Sequence, residues 1–435
     1  MQKSRAVLSP DGLWKEVHNY FSSKSDILNG NKKKSASNIV DSLMAACAVF
    51  ALKMPSLLRY DIYRRHDKVL FSNLKTLFHI DKPPSDTTMR ERLDEIEPKM
   101  IRGIFKHLFA KLQRGKGLEQ YEFLDKHYLI LGDATGHFSS NQVYCSSCCE
   151  THHRSGEVTY SHKMLALAIA HPKMKRVIPL CPEPITKQDG ESKNDCEQNA
   201  SKRMLYDFRR EHPHLKVVLA EDSLYSTGPH INMLKELDIR FIINAKAGNL
   251  ASLFDWVKSC EMDSFEYTQN DIHHQFSFIN DVPLNDTHFE TKVNFLDYWE
   301  TDKKGKKQHF SFITDIHLTK KNVELIMRGG RARWRIENET FNTLKNQGYN
   351  FEHNFGHGNK YLCSVLGMLM MLAFFVDQIS ELHNEPFQKA RTKTGTYYNL
   401  WQRMRTFFEC LIFKTWEELF EVIANPSNLT MVNSS

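Results

Sequence analysis

The amino-acid sequence predicts a mixed α/β protein with helical regions at both ends. Three observations carry that expectation. Between residues 127 and 248, short apolar runs bounded by turn residues alternate with helix-period stretches, the pattern of a sheet covered by helices. Residues 1–126 and 377–435 show helical, amphipathic spacing instead. Residues 249–310, rich in Phe, Thr, Asn and Asp, contain strand-like pieces and read as a β-rich insertion; residues 311–376 then return to the interrupted core. A chain of 435 residues has room for two or three domains and at least one large core. Its 41% hydrophobic and 25% charged content is ordinary for a soluble globular protein.

The net charge of +6 is unevenly placed. Residues 1–126 carry 23 basic against 15 acidic side chains, an excess that suits either a polyanionic partner or a well-solvated surface. Nine cysteines in this length do not read as a disulfide framework, and no signal peptide is recognisable, so a reducing cytoplasm is expected. The longest apolar run, residues 361–376, falls short of the ~20 residues of a bilayer span. Asp377 and Glu381 follow it closely, so a buried helix and no membrane contact are expected.

Taken in order, residues 30–37 (GNKKKSAS) read as a flexible basic loop. Residues 38–52 read as a core helix led by Val40, Leu43, Met44 and Cys47. Pro83, Pro84 and Ser85 punctuate the chain; Asp86 or Thr87 is expected to cap a helix with Met89, Leu93 and Ile96 on one face. The run HYLIL from His127 predicts a buried strand that delivers Asp133 at its C-terminal end. Residues 164–170 and 176–180 are strand candidates, and 194–210 a helix capped by Asn194 or Asp195. The strand 215–220 (LKVVLA) ends in Glu221-Asp222, followed by a helix near 231–237 and the strand 240–244. The insertion offers strands at 274–279, 288–293 and 309–313 beside a basic turn at 303–307. Near the C-terminus, Trp401, Phe407, Phe408, Trp416 and Phe420 are the expected packing residues. No internal repeat and no clear helix-turn-helix occur.

Residues 327–358 (MRGGRARWRIENETFNTLKNQGYNFEHNFGHG) carry the densest chemistry. They open on a Gly-Gly hinge with Arg328, Arg331, Arg333 and Arg335 around it. At about 100° per residue, Trp334, Phe341 and Leu344 share an apolar face with Glu337 in its middle, while Ile336 lies about a third of a turn outside. Glu339 is turned about 200° away, toward Arg335 and Asn342. A carboxylate on an apolar face needs a cation. Either Arg333, one turn earlier, supplies it, or a metal ion does so with partner carboxylates. Asp133 and Asp222, at two strand ends, are candidates for those partners, though each alone reads equally as a turn aspartate. Phosphoryl transfer uses such a set, with Mg²⁺ ions ~4 Å apart held by hard oxygen ligands.

The motifs LGDATG around Asp133, VVLAEDSLYS around Asp222 and RWRIENETFNTLK around Glu337 are accompanied by DTTMRERLDEIEP, DGESKNDCEQNASKR and GYNFEHNFGHG. In this order, over roughly residues 85–375, they resemble bacterial insertion-sequence transposases of the DDE type. The resemblance implies a ribonuclease-H-like core interrupted by a β-rich insertion between the second aspartate and the glutamate. It also implies Asp133, Asp222 and Glu337 as a catalytic, metal-binding triad for Mg²⁺, with Mn²⁺ able to substitute. The implied activity is DNA cleavage at the ends of a mobile element followed by strand transfer. Implied partners are double-stranded DNA, bound first by the basic residues 1–126, and a second copy in the DNA complex, in the cytoplasm at the bacterial nucleoid.

Many relatives carry a Tyr-Arg-Glu-Lys signature around the glutamate. Arg333 and Glu337 keep its offset, but Gly330 stands at the tyrosine position and Leu344 at the lysine position, with Lys345 one step later. Glu339, preceded by Arg335 and followed by Lys345, is therefore a rival catalytic acid. Phosphate-gripping roles pass to Arg333 and Lys345, and Arg328, Arg331, Arg335, Lys193 and Arg203 are further DNA-binding candidates. The 189–203 stretch reads equally as a salt-bridged surface helix, from which Asp195 or Glu197 could reach the metal site. Two alternatives stay open: a transposase-derived DNA-binding protein without catalysis, and a metal-dependent nuclease that does not join ends.

Weaker signals remain. Cys145-x-x-Cys148, with Cys149, His152 and His153, looks like half a zinc site that His162, Cys181 or Cys196 could complete; buried or free thiols are the alternative. Trp299 reads as a packed residue of the insertion rather than a base-stacking one. His353 and His357 read as polar loop residues.

Overall fold

The computed structural model describes residues 7–28, 36–187 and 196–426. Most of the basic loop 30–37 lies outside them, as do Lys193 and the expected caps Asn194 and Asp195. Twelve strands form one mixed sheet. They are β1 (Glu122–Leu124), β2 (His127–Ser140), β3 (Cys149–His152), β4 (Val158–Ala170), β5 (Ile178–Pro179), β6 (Glu183–Ile185), β7 (Val217–Glu221), β8 (Arg240–Asn244), β9 (Asp263–Gln269), β10 (Ile272–Pro283), β11 (Lys292–Thr301) and β12 (Lys307–Thr314). Their order is β3-β4-β2-β7-β8-β12-β11-β10-β9, with β1 on β2 and both β5 and β6 on β4. Among the described residues, only β2–β7 and β7–β8 pair in parallel. Parallel strands must be covered on both faces, and all five residues of β7 are buried. The helices Glu197–Glu211 and Gly228–Glu236 lie in the connections before and after β7.

Several boundaries moved for physical reasons. The strand from His127 does not stop at Asp133 but continues to Ser140, because antiparallel β4 pairs with it along nearly its whole length. Ser85, not Asp86 or Thr87, caps the Asp86–Leu93 helix: its hydroxyl accepts the Thr88 N–H at 3.1 Å. The candidate strand 176–180 shrinks to Ile178–Pro179, and the candidate at 288–293 starts only at Lys292. The strands β9–β12 extend the same sheet, joined to it where β12 pairs with β8 through Ile313↔Ile243. Trp299, read as packed, is partly exposed on β11 and stacks on His309 with ring centroids 4.0 Å apart.

Helices from the two ends of the chain share one core. The Leu362–His383 helix packs against Ala36–Ala51 and Pro98–Arg114. It is the one helix among the described residues long and apolar enough to cross a membrane, and 94% of its apolar window is buried inside the fold. Within this packing Lys53, fully buried, donates to Asp377 and to the Ala51 carbonyl, and lies over the rings of Tyr349 and Trp401. Asp377 also accepts the Tyr349 hydroxyl.

Gly329 and Gly330 are not a hinge. They lie inside the Val323–Arg331 helix, pressed against the sheet. A Cβ on Gly330 would come within 2.3 Å of the Phe312 ring, and one on Gly329 within 2.6 Å of Phe123. No side chain fits at the position where the resembled signature has tyrosine. Gly330→Ala is expected to destabilise the fold by about 1–3 kcal/mol through overpacking. Chemical denaturation checks this, and an unchanged midpoint would contradict the close contact.

Candidate active site

The parallel ladder between β2 and β7 closes with Leu131↔Ala220. Asp133 follows Leu131 by two residues, and Asp222 follows Ala220 by the same two. The two carboxylates therefore leave one end of the ladder side by side. Asp222 caps the short turn Ser223–Tyr225, its Oδ1 accepting the Leu224 N–H at 2.9 Å. Asp133 Oδ1 accepts the Ala134 N–H at 2.9 Å, and its Oδ2 accepts Arg333 Nη1 at 2.8 Å.

Burial pushes the Asp133 carboxyl above its ordinary value, with the Asp222 charge adding and Arg333 opposing. Glu197, at the start of the Glu197–Glu211 helix, accepts the Tyr225 hydroxyl at 2.8 Å. It is also pushed up, first by burial, with the charges of Asp133, Asp222 and Glu221 adding. Glu197 therefore belongs to the field of the two aspartates, a placement its sequence position offered only as one of two options. Glu221 is turned into the interior and paired with His230 Nε2 at 2.7 Å. A cluster of carboxylates that raise one another's proton affinity is the environment a hard divalent cation neutralises.

Glu337 is placed differently from expectation. The α-helical phase puts it on a buried face with Trp334, but Trp334 is 47% exposed, Glu337 is exposed, and Ile336 is fully buried. The reason is a π-helical turn over Ile336–Phe341, which adds residues to the turn and shifts the buried stripe to Ile336, Thr340, Phe341 and Leu344. π-turns inside helices recur at functional sites. This segment packs on β2 and β4. Arg333 does not pair with Glu337 but reaches Asp133, and among the described residues Glu337 has no ion pair. Glu337 lies four residues beyond Arg333, in the segment that the Arg333–Asp133 ion pair ties to β2. Glu339 is engaged elsewhere, 3.9 Å from Arg335, whose Nη2 donates to the Pro172 carbonyl at 2.8 Å.

The basic candidates among the described residues all hold protein partners. Arg328 pairs with Glu324 at the surface. Arg331 forks onto Glu300 of β11 at 2.6 and 3.1 Å and lies over the Phe310 ring. Arg203 pairs with Glu183 at 2.9 Å, and Lys345 with the exposed Glu352 at 2.8 Å. Lys345 lines an open groove with Lys163, Gly136 and Ser161, on the stretch of β2 just beyond Asp133. Leu344, at the signature's lysine position, is fully buried.

His357 lies in a loop, as its sequence context suggests, but not as a solvated residue. It is buried, and its Nε2 lies 3.3 Å from Cys148 Sγ, in a group completed by Cys145 and His162. No spacing rule could have found it, since Cys148 and His357 are 209 residues apart. Cys149 sits apart from the group with its Sγ directed at the Ile185 carbonyl, and His152 is exposed. None of the nine cysteines is in a disulfide. In comparisons with known proteins, no family model matches the chain and no curated protein resembles it significantly.

Proposed function

We propose that the chain is a DNA transposase of the DDE type, cleaving DNA at the ends of a mobile element and joining the freed 3′ ends to target DNA. The reading rests on one juxtaposition: Asp133 and Asp222 at the same end of the β2–β7 ladder, with the Glu337 segment tied to them by the Arg333–Asp133 ion pair. A ribonuclease-H-like core is supported by the strand order, with antiparallel β4 on one side of β2 and parallel β7 and β8 on the other. The strands β9–β12 lie between Asp222 and Glu337 in sequence, as the resembled insertion does.

The donor set around Asp133 is all oxygen and partly open, which suits Mg²⁺, with Mn²⁺ substituting. Asp133, Asp222 and Glu337 would hold it, with Glu197 beside them. When bound, Mg²⁺ supplies activation of the attacking oxygen and charge neutralisation at the phosphate. Water attacks phosphorus and the P–O3′ bond breaks, leaving a 3′-hydroxyl and a 5′-phosphate. That hydroxyl then attacks a target phosphodiester, so one P–O bond forms as another breaks and no cofactor is consumed. Arg333, which neutralises Asp133 in the free protein, would turn to a DNA phosphate. Arg328 and Lys345, whose partners are exposed, would exchange them for phosphates in the same way. The basic residues 1–126 bind the element ends, and two copies are required because two ends are joined.

The test is a labelled duplex carrying the element's own ends, incubated with Mg²⁺, Mn²⁺ or EDTA beside the Glu337→Gln protein. Metal-dependent nicking lost in the variant, with joined products from the unaltered protein, is expected. Binding without cutting in either metal would move the assignment to a DNA-binding descendant, a reading favoured by Gly330 and Leu344. Cutting without joining would make the protein a nuclease, and cutting that survives in Glu337→Gln would pass the role to Glu339.

A further inference from the structure

We propose that Cys145, Cys148, His162 and His357 form a closed, four-coordinate zinc site that clamps the sheet to the chain segment following the Glu337 helix. The proposal stands independently of the transposase reading. The two cysteines come from the loop between β2 and β3, His162 from β4, and His357 from the loop that leads into the Leu362–His383 helix. Their four ligand atoms lie within 4.8 Å of one another. The two sulfurs are 3.8 Å apart; His162 Nε2 lies 3.3 and 3.4 Å from Cys145 and Cys148, and His357 Nε2 lies 3.3 Å from Cys148. Tetrahedral zinc, with Zn–S of ~2.3 Å and Zn–N of ~2.0–2.1 Å, spaces its ligands ~3.3–3.8 Å apart. These four pairs stand at coordination spacing, and the whole set falls within 4.8 Å.

The polar balance of the two rings points the same way. His162 is 1% exposed and His357 7%, and the Nδ1 of each is buried without a hydrogen-bond partner. Each imidazole thus meets polar atoms only through Nε2, and those atoms are sulfurs. Weak S–H···N contacts are a poor reason to bury two imidazoles, since buried polar groups are otherwise well hydrogen-bonded. Zn²⁺ gives each Nε2 a strong partner in place of the weak thiol contacts: it replaces two thiol protons, which are released, and the two thiolates neutralise its charge in the interior. Two sulfur and two nitrogen ligands select zinc over the hard cation suited to the carboxylates near Asp133. With all four positions filled by protein, the site is structural, without an open position for catalysis.

The clamp closes where other contacts already converge. Ser146 and Ser147 donate to the carbonyls of Asn359 and Lys360, and Asp94 accepts the N–H groups of residues 359–362. Zinc would hold β4, and through it β2 with Asp133, against the segment that follows Glu337 and Lys345.

Metal analysis of the purified full-length protein should find about one zinc per chain, the stoichiometry of a single closed site. Exchange with Co²⁺ should produce a thiolate charge-transfer band and the visible bands of tetrahedral cobalt. Cys148→Ser and His357→Ala should lose the metal, Cys149→Ser should keep it, and His357→Cys, which restores a ligand, should recover it with a shifted cobalt spectrum. Unaltered protein that carries no zinc and gives no tetrahedral cobalt spectrum would overturn the proposal. So would full zinc content in Cys148→Ser. Because the first of these readings uses the unaltered chain, a variant that fails to fold does not shield the proposal.

Discussion

Asp133→Asn and Asp222→Asn are each expected to lower metal-dependent cleavage at the element ends by at least about 100- to 1,000-fold, the scale seen when one preorganised charge-stabilising group is removed. Both substitutions keep the shape of the side chain. Asp222 would still cap Ser223–Tyr225 through an amide oxygen, and Asp133 would still accept from Ala134. What disappears is the negative charge that each delivers to the same end of the ladder. DNA binding, which depends on the basic surface, should change little. Single-turnover cleavage with a parallel binding assay separates the two effects, and full activity in either variant would remove that residue from the catalytic set. Glu197→Gln sharpens the picture. If Glu197 supports the aspartates without holding the cation itself, its loss should be smaller than theirs and partly recovered at higher metal concentration. A loss equal to that of Asp133→Asn would make it a ligand in its own right.

The second large effect concerns stability. Asp377→Asn or Lys53→Met is expected to cost about 3–5 kcal/mol, because either leaves an uncompensated charge or donor in a largely buried setting. Burial lowers the proton affinity of Lys53 and raises that of Asp377, each opposed by its partner, so the pair holds its charges only while both members are present. The double variant Lys53→Met/Asp377→Asn should cost less than the sum of the single changes. Denaturant unfolding of the four proteins reads this directly. Additive losses would mean that Lys53 and Asp377 are stabilised separately, by the Tyr349 and Trp401 rings and by the Tyr349 hydroxyl. The consequence reaches the candidate site, since this pair pins the Leu362–His383 helix to the N-terminal helices.

Much of this architecture was legible in the sequence. Apolar runs of four to six residues ending in acids must be buried strands that surface at a sheet end, and this brought out β2 and β7 with Asp133 and Asp222 past their ladder. The same logic found the helical ends of the chain, the β-rich stretch, and an apolar helix that packs inside the fold. These signals are local, carried by periodicity and by the residues at element ends, so a single sequence contains them in full.

Tertiary structure alone decided the rest, because the deciding contacts join residues far apart in sequence. A π-turn over Ile336–Phe341 breaks the regular 100° step, so no helical projection could place Trp334 outside, Ile336 inside and Glu337 in the open. Arg333 chose Asp133, 200 residues away, over the nearby Glu337. The glycines that read as a hinge are small because Phe123 and Phe312 press on them. Cys148 and His357 meet because the β2–β3 loop and the loop before the Leu362–His383 helix pack together, a distance that folding removes and that spacing in the sequence cannot express.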